Sequence, residues 1–205
     1  MLSVQAVTPH TLELLKTLSA RPELSDLRLV GGTSLALQYG HRQSVDLDFF
    51  GNLSIGQEKL VSILHEIGEF SITNKTPHIL QTIISNVKVD FVDYGYYEWI
   101  DQPILEDGLC LASDKDIAAM KVNAIIGRGS KKDFIDLFVL LQHYSLSEIL
   151  QFYKLKYPEY SEYRALLSMT YFEDAEMQDM PIMFIPDSWD SIKQTIINKV
   201  KQYQE

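Results

Sequence analysis

The stretch Val30-Gly31-Gly32-Thr33-Ser34-Leu35-Ala36-Leu37, continued by His41-Arg42-Gln43-Ser44 and then Val45-Asp46-Leu47-Asp48-Phe49-Phe50, decides how the rest of the chain is read. Side chains on a strand alternate between its faces. If residues 45–50 form a strand, Asp46 and Asp48 share one face while Leu47 and Phe49 point at a core. Two such carboxylates repel by roughly 4 kcal/mol at about 4 Å with an effective dielectric near 20, so they need either water or a cation. An oxygen-only pair suits Mg²⁺, which keeps waters and shares phosphate oxygens. The Gly-Gly pair sits between an expected strand over residues 27–30 and an expected helix over 33–39 closed by Gly40. Glycine allows close backbone approach, helix N-terminal amides attract phosphate, and Thr33 and Ser34 add hydroxyl donors. A lone Gly-Gly is usually just a turn and a lone Asp-x-Asp usually solvated; a phosphate cradle followed by a metal-binding strand describes a nucleoside triphosphate site.

Upstream, Thr8-Pro9 starts a helix with Pro at its first position, and Arg21-Pro22 ends it. Downstream, residues 57–69 carry a helical apolar pattern through Leu60, Ile63, Leu64 and Ile67. Residues 79–84 and 87–94 read as a hairpin about Ser85-Asn86, and 109–111 as a short strand. From Ser113, a plausible N-cap followed by Asp114 and Asp116 in the first turn, the chain turns helical: to about 126, then 132–142, 147–157, 159–168 and 188–203. No basic residue lies between Arg164 and Lys193, while Glu173, Asp174, Glu176, Asp179, Asp187 and Asp190 cluster there. With Pro181 and Pro186 this segment reads as a loop, lid or partner contact. The expected organisation is an α/β core over residues 1–112 and a helical region over 113–205 packed on it, an α+β protein.

The chain has 205 residues, 46% hydrophobic and 22% charged, the balance of a globular protein with a real core. A single cysteine, Cys110, excludes an internal disulfide and a multi-cysteine zinc site. The net charge of −10 argues against coating DNA through a broad basic face, though a few phosphates can still be gripped locally or through metal. No apolar run reaches the roughly 18 residues a spanning helix needs, and the start MLSVQAVTPH lacks a secretory pattern. A cytoplasmic location without membrane contact is expected.

With thirteen residues between Gly32 and Asp46, an apolar residue, Gly-Gly and then Asp-apolar-Asp-apolar resemble the signature of the DNA polymerase β-like nucleotidyltransferases. The fuller run GGTSLALQYGHRQSVDLDFF looks like the AbiEii/AbiGii-type toxin nucleotidyltransferases. Asp116-Ile-Ala-Ala-Met-Lys121, through Arg128, to Asp133-Phe-Ile-Asp136-Leu resembles that family's downstream motifs. The similarity covers roughly residues 28–142. It implies a polymerase β-like core, a mixed sheet flanked by helices, followed by a helical C-terminal region. It also implies a third carboxylate on a later strand. Within Lys88-Val89-Asp90-Phe91-Val92-Asp93, Asp90 fits, since Val89 and Phe91 then face the core; Asp93 falls on the opposite face. Two Mg²⁺ ions about 3.5–4 Å apart would sit between the phosphate and these acids, with Asp46 and Asp48 binding both and Asp90 one.

Lys121 stands out without the resemblance, because the helix around it is apolar nearly all round and a lysine near a core needs a partner. Either it pairs with Asp136 or it reaches the triphosphate; the resemblance favours the second. Asp136 needs Lys121 or Arg128, and Asp133 suits a helix first turn on dipole grounds alone. Arg42 either clamps a phosphate or solvates its loop. Arg128, Lys131 and Lys132 either meet nucleic acid or flank a solvated turn. Tyr94, Tyr96, Tyr97 and Trp99 either stack a base or edge the core. The resemblance further implies transfer of a nucleoside monophosphate from an NTP to an acceptor hydroxyl, by the toxin of a toxin–antitoxin or phage-defence pair with a cognate antitoxin. RNA, at the tRNA 3′ end, is the first acceptor; a small molecule or protein is the second, and a non-catalytic nucleotide-binding module the rival.

Overall fold

The computed structural model describes residues 1–159 and 161–205. The chain divides into two compact units, one of residues 1–98 with 102–112 and the other of 99–101 with 113–205.

The first unit opens with helix α1 (Pro9–Ser19), whose N-cap Thr8 accepts the Thr11 amide as the Thr-Pro start leads one to expect. Strand β1 (Leu27–Val30) runs straight into helix α2 (Gly31–Tyr39), which therefore begins two residues earlier than read from the sequence. The break is still made at Gly31, whose φ of +69° lies in the left-handed region, and Gly40 closes the helix at φ +64°. Strand β2 (Leu47–Gly51), helix α3 (Gly56–Ile67), and strands β3 (Phe70–Thr76), β4 (Ile79–Ile84), β5 (Val87–Asp93), β6 (Ile104–Glu106) and β7 (Leu109–Leu111) follow. Ser85 and Asn86, both at positive φ, make the expected turn between β4 and β5.

The seven strands form one mixed sheet in the order β3-β4-β5-β2-β1-β7-β6. β2 pairs antiparallel with β1 and parallel with β5, so the first two strands of the Gly-Gly/Asp-x-Asp stretch sit in the sheet's middle. Leu29, Leu47, Phe49, Leu80, Val89 and Phe91 turn one sheet face into a core with Leu14, Leu15 and Leu18 of α1 and Leu60 and Leu64 of α3. Phe49 and Phe91, register partners, stack with centroids 5.6 Å apart. Burying the odd-numbered residues of β2 and β5 forces Asp48, Lys88 and Asp90 onto the other face.

The second unit is helical: α4 (Asp114–Gly127), α5 (Lys131–Leu140), α6 (Leu146–Lys156), α7 (Glu162–Met169), α8 (Glu173–Glu176) and α9 (Trp189–Gln204). The helix expected over 159–168 starts at Glu162, and the part of that expectation that falls on Tyr160 lies outside the described residues. Asp116 is wholly buried here, not a solvent-facing first-turn acid: it accepts from Ser113 Oγ, from the Ile100 and Asp101 amides, and from Lys156 Nζ at 2.7 Å. The Lys156 ammonium, itself buried, also lies 4.5 Å from the Trp99 ring centroid. The acidic stretch expected as a loop contains the single turn α8, whose Glu176 accepts from Trp189 Nε1 and Lys193 Nζ. The molecule is thus α+β, a mixed seven-stranded sheet with helices and a helical C-terminal part. No helix among the described residues is long and apolar enough to cross a membrane.

Candidate active site

Asp48 and Asp90 are register partners on adjacent parallel strands, and Val30, the residue before the Gly-Gly pair, is the register partner of Asp48 on the other side. The turn and two of the three acids therefore lie in one row. A Cβ at Gly31 would stand 2.4 Å from Asp48 Oδ2, so any other residue there would displace that carboxylate and strain a backbone at positive φ. Asp46 precedes β2, and its carbonyl accepts from the Thr33 hydroxyl, whose oxygen also lies 2.9 Å from Ser44 Oγ, within hydrogen-bond reach. This ties the α2 N-terminus to the approach to β2.

That bonding bears on the reading of Thr33 and Ser34 as phosphate donors. Thr33 and Ser34 are 1% and 0% exposed, and the Ser34 hydroxyl accepts from Gln38 Nε2. Their hydroxyls hold the turn together, so what Gly31 and Gly32 offer to solvent is backbone. Arg42 is also buried, at 1% exposure, with Nη1 donating to the Gln43 carbonyl. A solvated loop residue it is not, and a phosphate clamp it could be only from inside the fold.

Asp90 is buried. Its Oδ2 accepts from Gln81 Nε2 at 2.7 Å and pairs with Lys88 Nζ at 3.1 Å, while its buried Oδ1 has no hydrogen bond. Partial burial works to lower the Lys88 pKa, yet the Asp90 carboxylate, then Asp48 and Asp46, hold the ammonium above its ordinary value. All three acids therefore lie within electrostatic reach of one cation. They are not already closed into a coordination shell: among the described residues no three carboxylate, imidazole or thiol groups gather tightly enough to be one. Like charges repel and stay apart. By chemistry the set fits a hard divalent cation, being all oxygen and including a buried carboxylate oxygen with no donor.

The second acid grouping is of another kind. Lys121, 5% exposed, pairs with Asp133 at 3.0 Å and Asp136 at 2.6 Å, both wholly buried. Arg128 donates twice to Asp133 and Ser130 Oγ once. Burial works to raise the Asp133 pKa, but Lys121, then Arg128 and Ser130, hold it well below the usual carboxylate range. Of the two readings of Lys121, its pairing with Asp136 is the contact present. The basic cluster is corrected too: Lys131 is buried and spends its ammonium on the Glu176 and Gln178 carbonyls. Tyr94, 6% exposed, packs on Phe50 and Tyr97 and edges the core, whereas Tyr96 is exposed at 79%.

A family model described as "Nucleotidyl transferase AbiEii toxin, Type IV TA system" matches residues 13–202. The chain belongs to the AbiEii nucleotidyltransferase toxin family. A relative of this AbiEii chain, an uncharacterized protein of Aquifex aeolicus, is 34% identical over 193 residues, covering 88% of this chain and 89% of its own. Among solved structures, MenT4, a nucleotidyltransferase toxin of Mycobacterium tuberculosis, superposes with a TM-score of 0.55 at 16% identity, over 92% of this chain and 89% of that one. JHP933 of Helicobacter pylori gives 0.51 at 18%, over 100% and 97%. These two likenesses establish the fold. Of the residues that carry the AbiEii resemblance, Gly31, Gly32, Asp46 and Asp48 lie at the middle of the sheet or on the approach to it, and Asp116, Lys121, Asp133 and Asp136 lie on α4 and α5.

Proposed function

We propose that this AbiEii protein transfers a nucleoside monophosphate from an NTP to the hydroxyl of an RNA acceptor, the 3′ end of tRNA foremost, in a reaction that requires a divalent cation, Mg²⁺ in the cell. Asp46, Asp48 and Asp90 would hold the cation, whose chemistry is to neutralise charge on the phosphates and activate the attacking oxygen. The observation that carries this reading is the bare, buried Oδ1 of Asp90 on the strand next to Asp48, one row from the Gly31 turn. The first-turn amides of α2, which have no intrahelical acceptors, would take the triphosphate tail at Gly31 and Gly32. Thr33, Ser34 and Arg42, all buried, would shape that turn from behind.

The attacking hydroxyl adds to the α-phosphorus, the bond to the β,γ-pyrophosphate breaks, and the hydroxyl proton leaves to a carboxylate or water. Catalysis is then positioning and charge neutralisation. Lys121 and Asp136 would act by holding the α4–α5 pair in place. The protein would work in the cytoplasm as a toxin restrained by a cognate antitoxin.

Incubation of the chain with α-labelled NTPs, Mg²⁺ and total RNA tests the reading. Label on RNA that is lost with EDTA and with Asp48→Asn is the expected result. Label on protein or on a small hydroxylated acceptor alone would replace the acceptor, and nucleotide binding with no transfer to any acceptor would replace the enzyme by a binding module.

A further inference from the structure

We propose that Gln81, steadied by Asn74, is a positioning residue that presents Asp90 to a divalent cation through Oδ1 alone. This rests on the reading of Asp90 as a cation-holding carboxylate. Asn74, Gln81, Asp90 and Asp48 stand in one register row across β3, β4, β5 and β2. Gln81 Nε2 donates to Asp90 Oδ2 at 2.7 Å, and Gln81 Oε1 accepts from Asn74 Nδ2 at 3.1 Å. The Asp90 carboxylate, which only accepts, decides which end of the Gln81 amide faces it, and the Asn74 amide then turns its donor to the Gln81 oxygen and steadies that orientation. The row also depends on an irregularity. The β3–β4 register shifts between Ile72 and Asn74, so the residue opposite Gln81 is Asn74 and not Thr73. A bulge that re-aims one side chain at a neighbour is a recurrent device beside functional sites.

Gln81 and Lys88 both engage the same oxygen, Oδ2. The carboxylate is thereby fixed in rotation, and Oδ1 is the oxygen left buried and bare. A bare buried carboxylate oxygen costs stability, and a cation is the partner its charge calls for. A neutral amide suits this position because it orients the acid without repelling the cation, which a second ammonium would do. Hydrogen bonds of this kind to metal-holding carboxylates set metal affinity.

The test is titration calorimetry of the full chain with Mn²⁺ alone, without nucleotide or acceptor, together with thermal melting in EDTA. Gln81→Met is expected to weaken Mn²⁺ binding about tenfold. Asp90→Asn should weaken it at least as much, and the double variant no more than Asp90→Asn. Asn74→Ala, at an exposed position that tolerates truncation, is expected to weaken binding about two- to threefold and carries the test should Gln81→Met fail to fold. Normal Mn²⁺ affinity in Gln81→Met and Asn74→Ala, with only Asp90→Asn impaired, overturns the positioning role and leaves the reading of Asp90 standing. So does a lowered melting temperature with unchanged affinity, or additive losses in the double variant. Absence of Mn²⁺ binding to the wild type, or normal binding by Asp90→Asn, overturns both.

Discussion

The two units each carry a group of carboxylates around a lysine, and the groups are built to opposite ends. In the helical unit, Asp133 and Asp136 are wholly buried and surround Lys121 at 3.0 and 2.6 Å, with Arg128 and Ser130 filling the remaining sites on Asp133. In the sheet unit, Lys88 is half exposed, pairs with Asp90 at 3.1 Å, and answers three acids at once, while one oxygen of Asp90 has no donor. The first group is electrically closed; in the second, one carboxylate oxygen of Asp90 is left without a donor. A closed buried group contributes rigidity and is costly to open. An open one contributes little stability and is suited to a ligand that brings charge. Similar residue types thus serve different ends according to whether their partners add up.

This contrast can be broken most sharply at Asp48. Asp48→Asn is expected to remove transfer by at least about a thousandfold, the scale of losing a metal-centred step, while leaving urea stability unchanged or raised, since it relieves repulsion. A loss of fold in that variant would put both groups in the same class. Next comes Lys121→Met, which strands two buried carboxylates and should cost about 3–5 kcal/mol in urea unfolding; a neutral outcome would mean the group is not closed. The same closure has a pH signature. Because the native pKa of Asp133 is depressed, its contribution is fully present above the ordinary carboxylate value of about 4 and is lost as pH falls toward the native one. The stability gap between wild type and Asp133→Asn should therefore be widest near neutrality and close as pH drops below about 5, read by thermal melts across pH. The smallest effect is expected at Lys88: Lys88→Met removes a competing cation from a screened position and should tighten Mn²⁺ binding about two- to fivefold, the reverse of the Gln81→Met result.

Much of this was legible because the sequence carried a period. Leu47, Phe49, Val89 and Phe91 alternate with Asp46, Asp48, Lys88 and Asp90, so the face of each acid followed from the core. Strand β3 escaped for the converse reason: as an edge strand it is exposed along nearly its whole length, and a strand that buries neither face leaves no pattern to count. Strand β6 escaped through its brevity, although Asp107-Gly108, both at positive φ, is a hairpin signature that could have found it. Gln81 went unread, and Lys131 was read as part of a basic patch, because an amide or a lysine has meaning only through its partner, and their partners come from a neighbouring strand or from 45 and 47 residues away. Asp116 was read by its local position in a helix turn, whereas its decisive contact, Lys156, lies 40 residues downstream.

The near contact of Gly31 with the Asp48 carboxylate carries a consequence for the order of loading. An anion arriving on the backbone at Gly31 meets a negative charge at short range, so on the proposed reading a triphosphate by itself is repelled from the turn proposed to take it. A cation already on Asp48 reverses that field, and by reciprocity a bound triphosphate strengthens the hold on the cation. The glycine thus makes the two ligands thermodynamically linked: each should saturate at lower concentration in the presence of the other, and the free nucleotide should bind weakly when chelator is present.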